Sequence, residues 1–436
     1  MTHMPTVRRP AARTRPVPGG PLRSRPAVHP VARGTAITAL TLLGGVLAAG
    51  PAAAHARWFA EYATGGQWSF FFSPVPLALT AGVVTLAVLW RLVARRLPTP
   101  ELPFLRFLGR LTPYVPRLLG IHMGVSLLAF SVTGAFLTPS LPLEEVPGGV
   151  VAGVVQGAVG IWLITGARLR PAALAVVLLG PPVLLAAGPV ALLETADTLA
   201  VALFLAVLPP SDRTFGRVEP SVLHLRWAVF LLRVFVAVAL VTLAFSEKLT
   251  NPQLARNLLT EFPQMNLPEL LGLPVPVDVF IAFAGAMEIL FGLLILSGAL
   301  PQVTVLVALV PFNLTLLVFG TTETIGHLPV YGVFLALLVY GSDPRTAAAL
   351  PWFPRGADVR EGIAVLRRAV HETVTTAPAL LRRSAARGTA TSGSTAAAPA
   401  GATPSPTTRP VGSVDAGTGP GLPGGRAGGG AATGPR

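Results

Sequence analysis

The sequence predicts an all-α fold, a polytopic bundle of transmembrane helices with about nine spans in the mature chain, preceded by an N-terminal signal peptide or signal anchor. Three observations support this. Of the 436 residues, 52% are hydrophobic and only 12% are charged, against roughly 25% charged residues in soluble domains. The apolar residues are gathered in segments of about 16–22 residues, close to the length that a helix needs to cross a bilayer. Loops rich in arginine alternate with loops rich in acids, as in multi-pass proteins.

The N-terminal region has three predicted parts. Residues 1–33 form a basic cytoplasmic leader with seven arginines and no acidic residue. Residues 34–54 are apolar and end in small residues, which is the pattern of a signal peptide cleaved after Ala54. An uncleaved signal anchor is the alternative. Residues 55–73 then form an extracytoplasmic segment before the first span.

Nine apolar segments follow, five in an N-terminal set within residues 74–224 and four in a unit at residues 225–342. The predicted spans are residues 75–94, 118–138, 148–167, 171–190, 194–209, 225–246, 277–298, 302–320 and 327–341. Prolines interrupt the segment at 171–190, and the segment at 194–209 is short. These two could therefore be kinked or re-entrant helices instead of full spans.

The distribution of charge predicts the orientation. Basic residues lie at one side of the predicted spans and acidic residues at the other, so the positive-inside rule places both tails in the cytoplasm before any signal cleavage. Ten crossings, counted with the signal segment, agree with this topology. Residues 1–33 and residues 345–436 each carry a formal net charge of +7, so these two basic tails account for the whole formal net charge of +14. Such tails favour contact with the anionic lipid of a bacterial plasma membrane, and nucleic acid is not an expected partner.

The chain is expected to leave the membrane after residue 342. Residues 343–383 place apolar side chains at helical spacing with arginines on other faces, which predicts a cytoplasmic amphipathic segment that is either bound to the membrane surface or solvated. Residues 384–436 consist mainly of Gly, Ala, Thr, Pro and Ser. That composition predicts a disordered tail.

Three polar residues fall deep inside predicted spans. Arg233 and Glu288 lie in spans of opposite direction, and counting from the segment ends at about 1.5 Å per residue puts both near the midplane. Asn313 lies at a comparable depth in the next span. Because ionisable groups inside a bilayer need partners or a wet cavity, we predict that Arg233 pairs with Glu288 and that Asn313 completes the cluster. The pair is either structural or part of a site for a proton or a quinone headgroup.

A second polar cluster is predicted on the extracytoplasmic side. Glu247 and Lys248 end one span, and Glu323 and His327 bracket a turn before another. Signal cleavage would make His55 the first residue, and an N-terminal histidine can chelate copper through its amine and imidazole. His55 and His327 are therefore candidate metal ligands, with carboxylates nearby. Ordinary hydrogen bonding is the alternative for both histidines.

The sequence assigns no catalytic residue. It contains no cysteine, which excludes disulfides, thiolate metal sites and iron–sulfur clusters held by cysteine. It also lacks a P-loop, a Rossmann glycine fingerprint, a nucleophile elbow and an HExxH zinc motif. Any redox chemistry would therefore use a bound cofactor or histidine, carboxylate or quinone chemistry.

Residues 225–342 resemble the four-helix DoxX family. The shared features are an arginine in the first helix (LLRVFVAVALVTLAFSEKL) with Lys248 near its end, a small-residue helix with an internal acid (AFAGAMEILFGLLILSGAL), and a closing helix after a GHLP turn. Together with the AHARWF sequence after the signal segment, this resembles a larger DoxX-like bacterial membrane protein with extra N-terminal helices. The resemblance implies a subunit of a membrane redox or stress-response complex, with partner proteins and a link to quinone.

Two other functions remain open at this point. One is a non-catalytic membrane scaffold or assembly factor, whose basic tails recruit cytoplasmic partners. The other is a transporter that uses the polar residues near the midplane. A transporter would be favoured by an internal repeat, which the sequence does not show.

Overall fold

The computed structural model describes part of the chain. The described residues are 56–60, 66–211, 215–365, 367–368 and 371–372. The predicted leader, the predicted signal segment, His55 and the predicted disordered tail lie outside them. The predicted amphipathic segment at 343–383 is described only in part. It includes a helix over residues 356–365, on which Val359 and Ile363 are exposed.

The described residues form a bundle of α-helices with a short β-hairpin. The α-helices are α1 (Trp68–Phe71), α2 (Pro74–Ala94), α3 (Val115–Thr133), α4 (Gly149–Thr165), α5 (Leu169–Ala186), α6 (Pro189–Glu194), α7 (Ala196–Val207), α8 (Val222–Leu243), α9 (Pro252–Glu261), α10 (Leu267–Leu270), α11 (Val277–Ser297) and α12 (Pro301–Ser342). The antiparallel hairpin pairs β1 (Ala135–Phe136) with β2 (Thr138–Pro142). Short 3-10 helices cover Ala56–Trp58, Pro103–Tyr114, Leu143–Glu145, Pro263–Met265 and Ala347–Ala349.

Six helical stretches within the described ranges are long and apolar enough to cross a membrane. They are Pro74–Ala94, Pro103–Thr133, Leu169–Ala186, Val222–Leu249, Val277–Ser297 and Pro301–Ser342. The predicted segments at 148–167 and 194–209 are helical, but α4 has 17 residues and α7 has 12, fewer than the roughly 20 that a span usually needs. The set of six is compatible with an integral, multi-pass membrane protein.

Helix α12 folds back on itself at Gly320. A straight helix of 42 residues would be about 63 Å long, roughly twice the ~30 Å thickness of the hydrocarbon core. Gly320 has φ 64° and ψ −134°, and the chain reverses there. Gln302 Nε2 donates to Ser342 Oγ at 2.8 Å, and the ring centroids of Phe312 and Phe334 are 5.2 Å apart. The two halves of α12, which match the last two predicted segments, are therefore antiparallel neighbours.

Helices α8 and α11 pack side by side in opposite directions. Gly292 lies against Ala237 and Val241, whereas Gly285, nearer the start of α11, lies against Leu249 beyond the end of α8. Glycines at such positions let two apolar helices approach closely. This antiparallel register decides which polar side chains of the two helices can meet.

Candidate functional site

The centre of the candidate site is a buried ion pair between the end of α8 and the middle of α11. Lys248 Nζ lies 2.8 Å from Glu288 Oε1 and 3.6 Å from Glu247 Oε2, and all three side chains are buried. Glu247 and Lys248 belong to a π-helical turn, Ala244–Leu249, that continues α8. Turns of this kind are rare and often occur at functional sites. The ammonium group of one lysine thus lies near two carboxylates, and all three groups are shielded from solvent.

The second half of α12 adds Glu323 and His327 to the site. His327 Nδ1 lies 3.4 Å from Glu323 Oε1 and 3.1 Å from the Glu323 carbonyl oxygen. The two residues are four apart, so they lie one turn apart on the same face of the helix, and both are buried. The His327 ring lies near the rings of Phe312 and Trp58, with centroids 5.4 Å away in each case.

Residues from the N-terminal segment also contact the site. The Ala56 N–H donates to Glu247 Oε2 at 2.9 Å, and the Arg57 N–H donates to Glu247 Oε1 at 3.4 Å. The Arg57 guanidinium lies 3.1 Å from Glu194 Oε1, which also accepts a hydrogen bond of 2.5 Å from Ser246 Oγ. Segments far apart in the sequence therefore meet at Glu247 and Glu194.

The surroundings of Glu194 raise the pKa of its carboxyl. It ends the short helix α6, outside the six candidate spans. Burial raises the pKa of its carboxyl to about 7, and the negative charge of Glu247 acts in the same direction, whereas Arg57 and the Ser246 hydroxyl oppose the rise. A carboxyl whose pKa lies near the working pH is an effective proton donor or acceptor.

Two small cavities lie within this set of ionisable groups. Asp197, Glu247, Glu288 and His327 contribute to the lining of the first, and Glu194, Asp197 and Glu247 to that of the second. Each has a volume of about 10 Å³, which is close to the lower limit for one water molecule. The buried Glu288 Oε2 has no hydrogen-bond partner among the described residues. Single waters between acids are an arrangement that can pass protons.

A larger cleft adjoins the small cavities. Its volume is about 420 Å³, within the range of small-molecule sites. Arg57 and Ser246, which also contact Glu194, form part of its wall, and Trp68 and Phe245 supply aromatic rings whose centroids are 6.2 Å apart. The cleft therefore combines aromatic surfaces with polar groups that contact the Glu194 carboxyl.

Arg233 and Glu288 do not form the predicted pair. The buried Arg233 guanidinium donates to the carbonyl oxygens of Leu350 and Trp352 and lies 4.9 Å from the ring centroid of Phe353, while Glu288 is paired with Lys248. Arg233 thus holds the chain after α12 against α8. Its role in the described structure is to fix this connection.

The register of α8 and α11 explains why Arg233 and Glu288 do not pair. Arg233 lies beside Gly298, which is about 15 Å along α11 from Glu288 at 1.5 Å per residue. The sequence-based estimate of depth counted residues from the end of each apolar segment and assumed that both segments begin at the same level in the membrane. The two helices are packed with a different offset, so this assumption does not hold. Asn313 is also outside the cluster, because it is exposed and its Nδ2 donates to the Leu309 carbonyl at 2.6 Å.

The structure instead unites Glu288 with residues predicted for the extracytoplasmic cluster. Glu247, Lys248, Glu323 and His327 all contribute to this site, and His55 lies outside the described residues. Within the described part of the chain, no group of three or more His, Cys, Asp or Glu side chains could hold a metal ion.

Sequence reasoning missed three contributors to the site, Arg57, Glu194 and Asp197. A usable signal was present for the two acids, because ionisable residues at the start of an apolar segment require partners when they are buried. Arg57 gave less indication, since a single arginine after a signal segment is ordinarily a solvated residue.

No protein-family model, no curated protein and no solved structure matches this chain. The resemblance of residues 225–342 to the DoxX family therefore stays a prediction.

Proposed function

We propose that the chain is a DoxX-like membrane subunit of a quinone-linked redox or stress-response complex in the bacterial plasma membrane. The observation that carries the proposal is the cleft of about 420 Å³ beside a buried set of ionisable side chains. The chain in this proposal has nine spans after removal of its signal segment, with its basic surfaces in the cytoplasm. The site then lies toward the extracytoplasmic side.

The residues of the cleft fit a quinone headgroup, which is a flat ring that carries two carbonyl oxygens. Trp68 and Phe245 offer ring faces for stacking, and the Arg57 guanidinium, which has five N–H donors, offers hydrogen bonds for the carbonyl oxygens. Val241 also lines the cleft and provides apolar surface for the start of a hydrocarbon tail. A bound quinone would supply two-electron, two-proton redox chemistry.

The chain's own residues would position the headgroup and handle its protons. Arg57 and Ser246 hold the Glu194 carboxyl next to the cleft, where it can exchange a proton with a bound molecule. Asp197 and Glu247 line both small cavities and would carry that proton further through single waters. The electrons would pass to or from a partner protein of the complex.

Tryptophan fluorescence tests the proposal without an activity assay. We expect a short-chain quinone to quench the fluorescence of the detergent-purified chain in a saturable way, because Trp68 lines the cleft. Trp68→Phe should remove most of the saturable part. Phe245→Ala should weaken binding about fivefold, since loss of one aromatic contact is worth on the order of 1 kcal/mol.

Trp162→Phe is the matched control, because it also removes one of the six tryptophans. Trp162 lies on α4 and is not part of the cleft, so this variant should keep saturable quenching. Quenching that never saturates, or that both tryptophan variants lose equally, would contradict a quinone site in this cleft.

A further inference from the structure

A lateral pocket lies between α4, α5 and the β-hairpin. Its volume is about 310 Å³, and its wall includes Ala152 of α4, Ala175 and Val176 of α5, and Leu137 of the turn between β1 and β2. This volume is at the lower end of the range of small-molecule sites. A void left empty among packed side chains destabilises a protein, because the atoms around it lose contacts. An occupant would therefore stabilise the bundle.

The side chains of the lateral pocket are not free to hydrogen-bond a ligand. Among the described residues that line it, Gln156 alone has a polar side chain. Gln156 Oε1 accepts from the Leu137 N–H at 2.8 Å, and Nε2 donates to the carbonyl oxygens of Leu127 and Ala135 at 3.1 and 3.0 Å. A buried water needs two to four polar partners, and a polar headgroup would lose its hydrogen bonds here. The wall therefore favours a hydrocarbon.

The opening of the lateral pocket lies on exposed apolar surface. Val151 of α4 and Leu179 of α5 line the pocket and are exposed. Val150 and Leu178, their neighbours in sequence, are also exposed, so the rim continues into the outer surface of both helices. Helix α5 is one of the six stretches that are long and apolar enough to cross a membrane. In a bilayer, the surface of such a stretch faces lipid hydrocarbon.

The inner end of the lateral pocket lies at Leu137. This side chain lines both the pocket and the small cavity that Glu194 and Asp197 also line. Leu137 is buried, and its backbone has φ 60°, a value that bulky residues rarely adopt. The Leu137 side chain thus separates the apolar pocket from the buried acids.

We propose that the lateral pocket binds one acyl chain of a membrane phospholipid, which enters between α4 and α5 and ends at Leu137. The bilayer supplies this hydrocarbon at the opening, the wall matches it in polarity, and the lipid headgroup stays outside the pocket. The acyl chain fills space between the two helices and the hairpin. This binding does not involve a quinone, so failure of the quenching experiment leaves it standing.

A photoreactive lipid tests the proposal on the full chain in vesicles. The vesicles contain phosphatidylcholine with a small share of phosphatidylcholine that has a diazirine at the end of one acyl chain. Light expels N₂ from the diazirine, the resulting carbene inserts into a nearby C–H bond, and peptide mass spectrometry locates the label. We expect label on the buried Leu137 and Val176, and on the exposed Val150 and Leu178, which any bilayer lipid can reach.

Filling the lateral pocket should remove the label from the two buried positions only. Ala152→Phe places a ring in the pocket from α4. Ala175→Phe does so from α5 and covers the case in which the first variant does not fold. Ala158→Phe is the matched control, because Ala158 is exposed on α4 and does not line the pocket. This control should keep the label at all four positions.

The wild type alone can overturn the proposal. Label confined to the two exposed positions would mean that the lateral pocket is closed to lipid or covered by another protein surface. Label on the buried positions that persists in a folded pocket-filling variant would also contradict the proposal, because the lipid would then reach these positions by another route.

Discussion

Lys248→Met is expected to lower the free energy of unfolding by about 3–5 kcal/mol, the usual cost of removing one partner from a buried ion pair. Lys248 is 6% exposed and Glu288 is 4% exposed, so solvent cannot replace the lost ammonium group. Methionine keeps most of the length and apolar surface of the lysine side chain. The loss would therefore come from the uncompensated charge of Glu288 and Glu247, and a denaturant titration in detergent would measure it.

The matched control is Arg256→Met. Arg256 Nη2 lies 2.8 Å from Asp278 Oδ1, the same separation as in the buried pair, but the Arg256 side chain is 33% exposed and that of Asp278 is 51% exposed. An exposed pair of this kind contributes at most about 1 kcal/mol. Equal losses for the two variants would show that Lys248 is not paired in a water-poor environment.

Gly320→Ala is expected to lower the free energy of unfolding by about 1–3 kcal/mol, the typical cost of a residue held in a disfavoured backbone conformation. Gly320 has φ 64° and ψ −134°, and residues with a Cβ rarely adopt such values. No atom lies within 4 Å of the place that a Cβ would take. The cost would therefore arise from the backbone and not from a clash. Because Glu323 and His327 follow this turn, the variant should also disturb the site.

Gly82→Ala separates this effect from the general effect of adding a methyl group. Gly82 also has no atom within 4 Å of the Cβ position, but it lies inside helix α2, where alanine is favoured over glycine by about 0.5–1 kcal/mol. The same unfolding titration should show no loss for this control. If Gly320→Ala were equally harmless, the sharp reversal in α12 would not depend on glycine.

The helical segments could be predicted because hydropathy reports directly on them. The apolar runs at 225–246 and 277–298 coincide closely with α8 and α11. The GHLP sequence contains His327, which is buried within the bundle. The β-hairpin after α3 was not predicted. Its strands are only two and five residues long, and such short strands leave no alternation of apolar and polar residues that could be recognised.

The partners of the polar residues could be predicted only in part. Glu247 and Lys248 are adjacent in sequence, and Glu323 and His327 are one helical turn apart, so local spacing identifies each pair. The partner of Glu288 depends on the register between α8 and α11, which the close approach at Gly285 and Gly292 fixes. Hydropathy contains no information on this register, because two apolar helices can slide along one another without changing their average burial.

The pairing of Lys248 with Glu288, on which the buried cluster depends, is tested most directly by a double-mutant cycle. The free energy of unfolding would be measured for Lys248→Met, Glu288→Gln and the double variant, and in parallel for Arg233→Met with Glu288→Gln. We expect a coupling energy of about 1–3 kcal/mol for the first pair and a value within about 0.5 kcal/mol of zero for the second. Strong coupling between Arg233 and Glu288, with none between Lys248 and Glu288, would contradict the site described above.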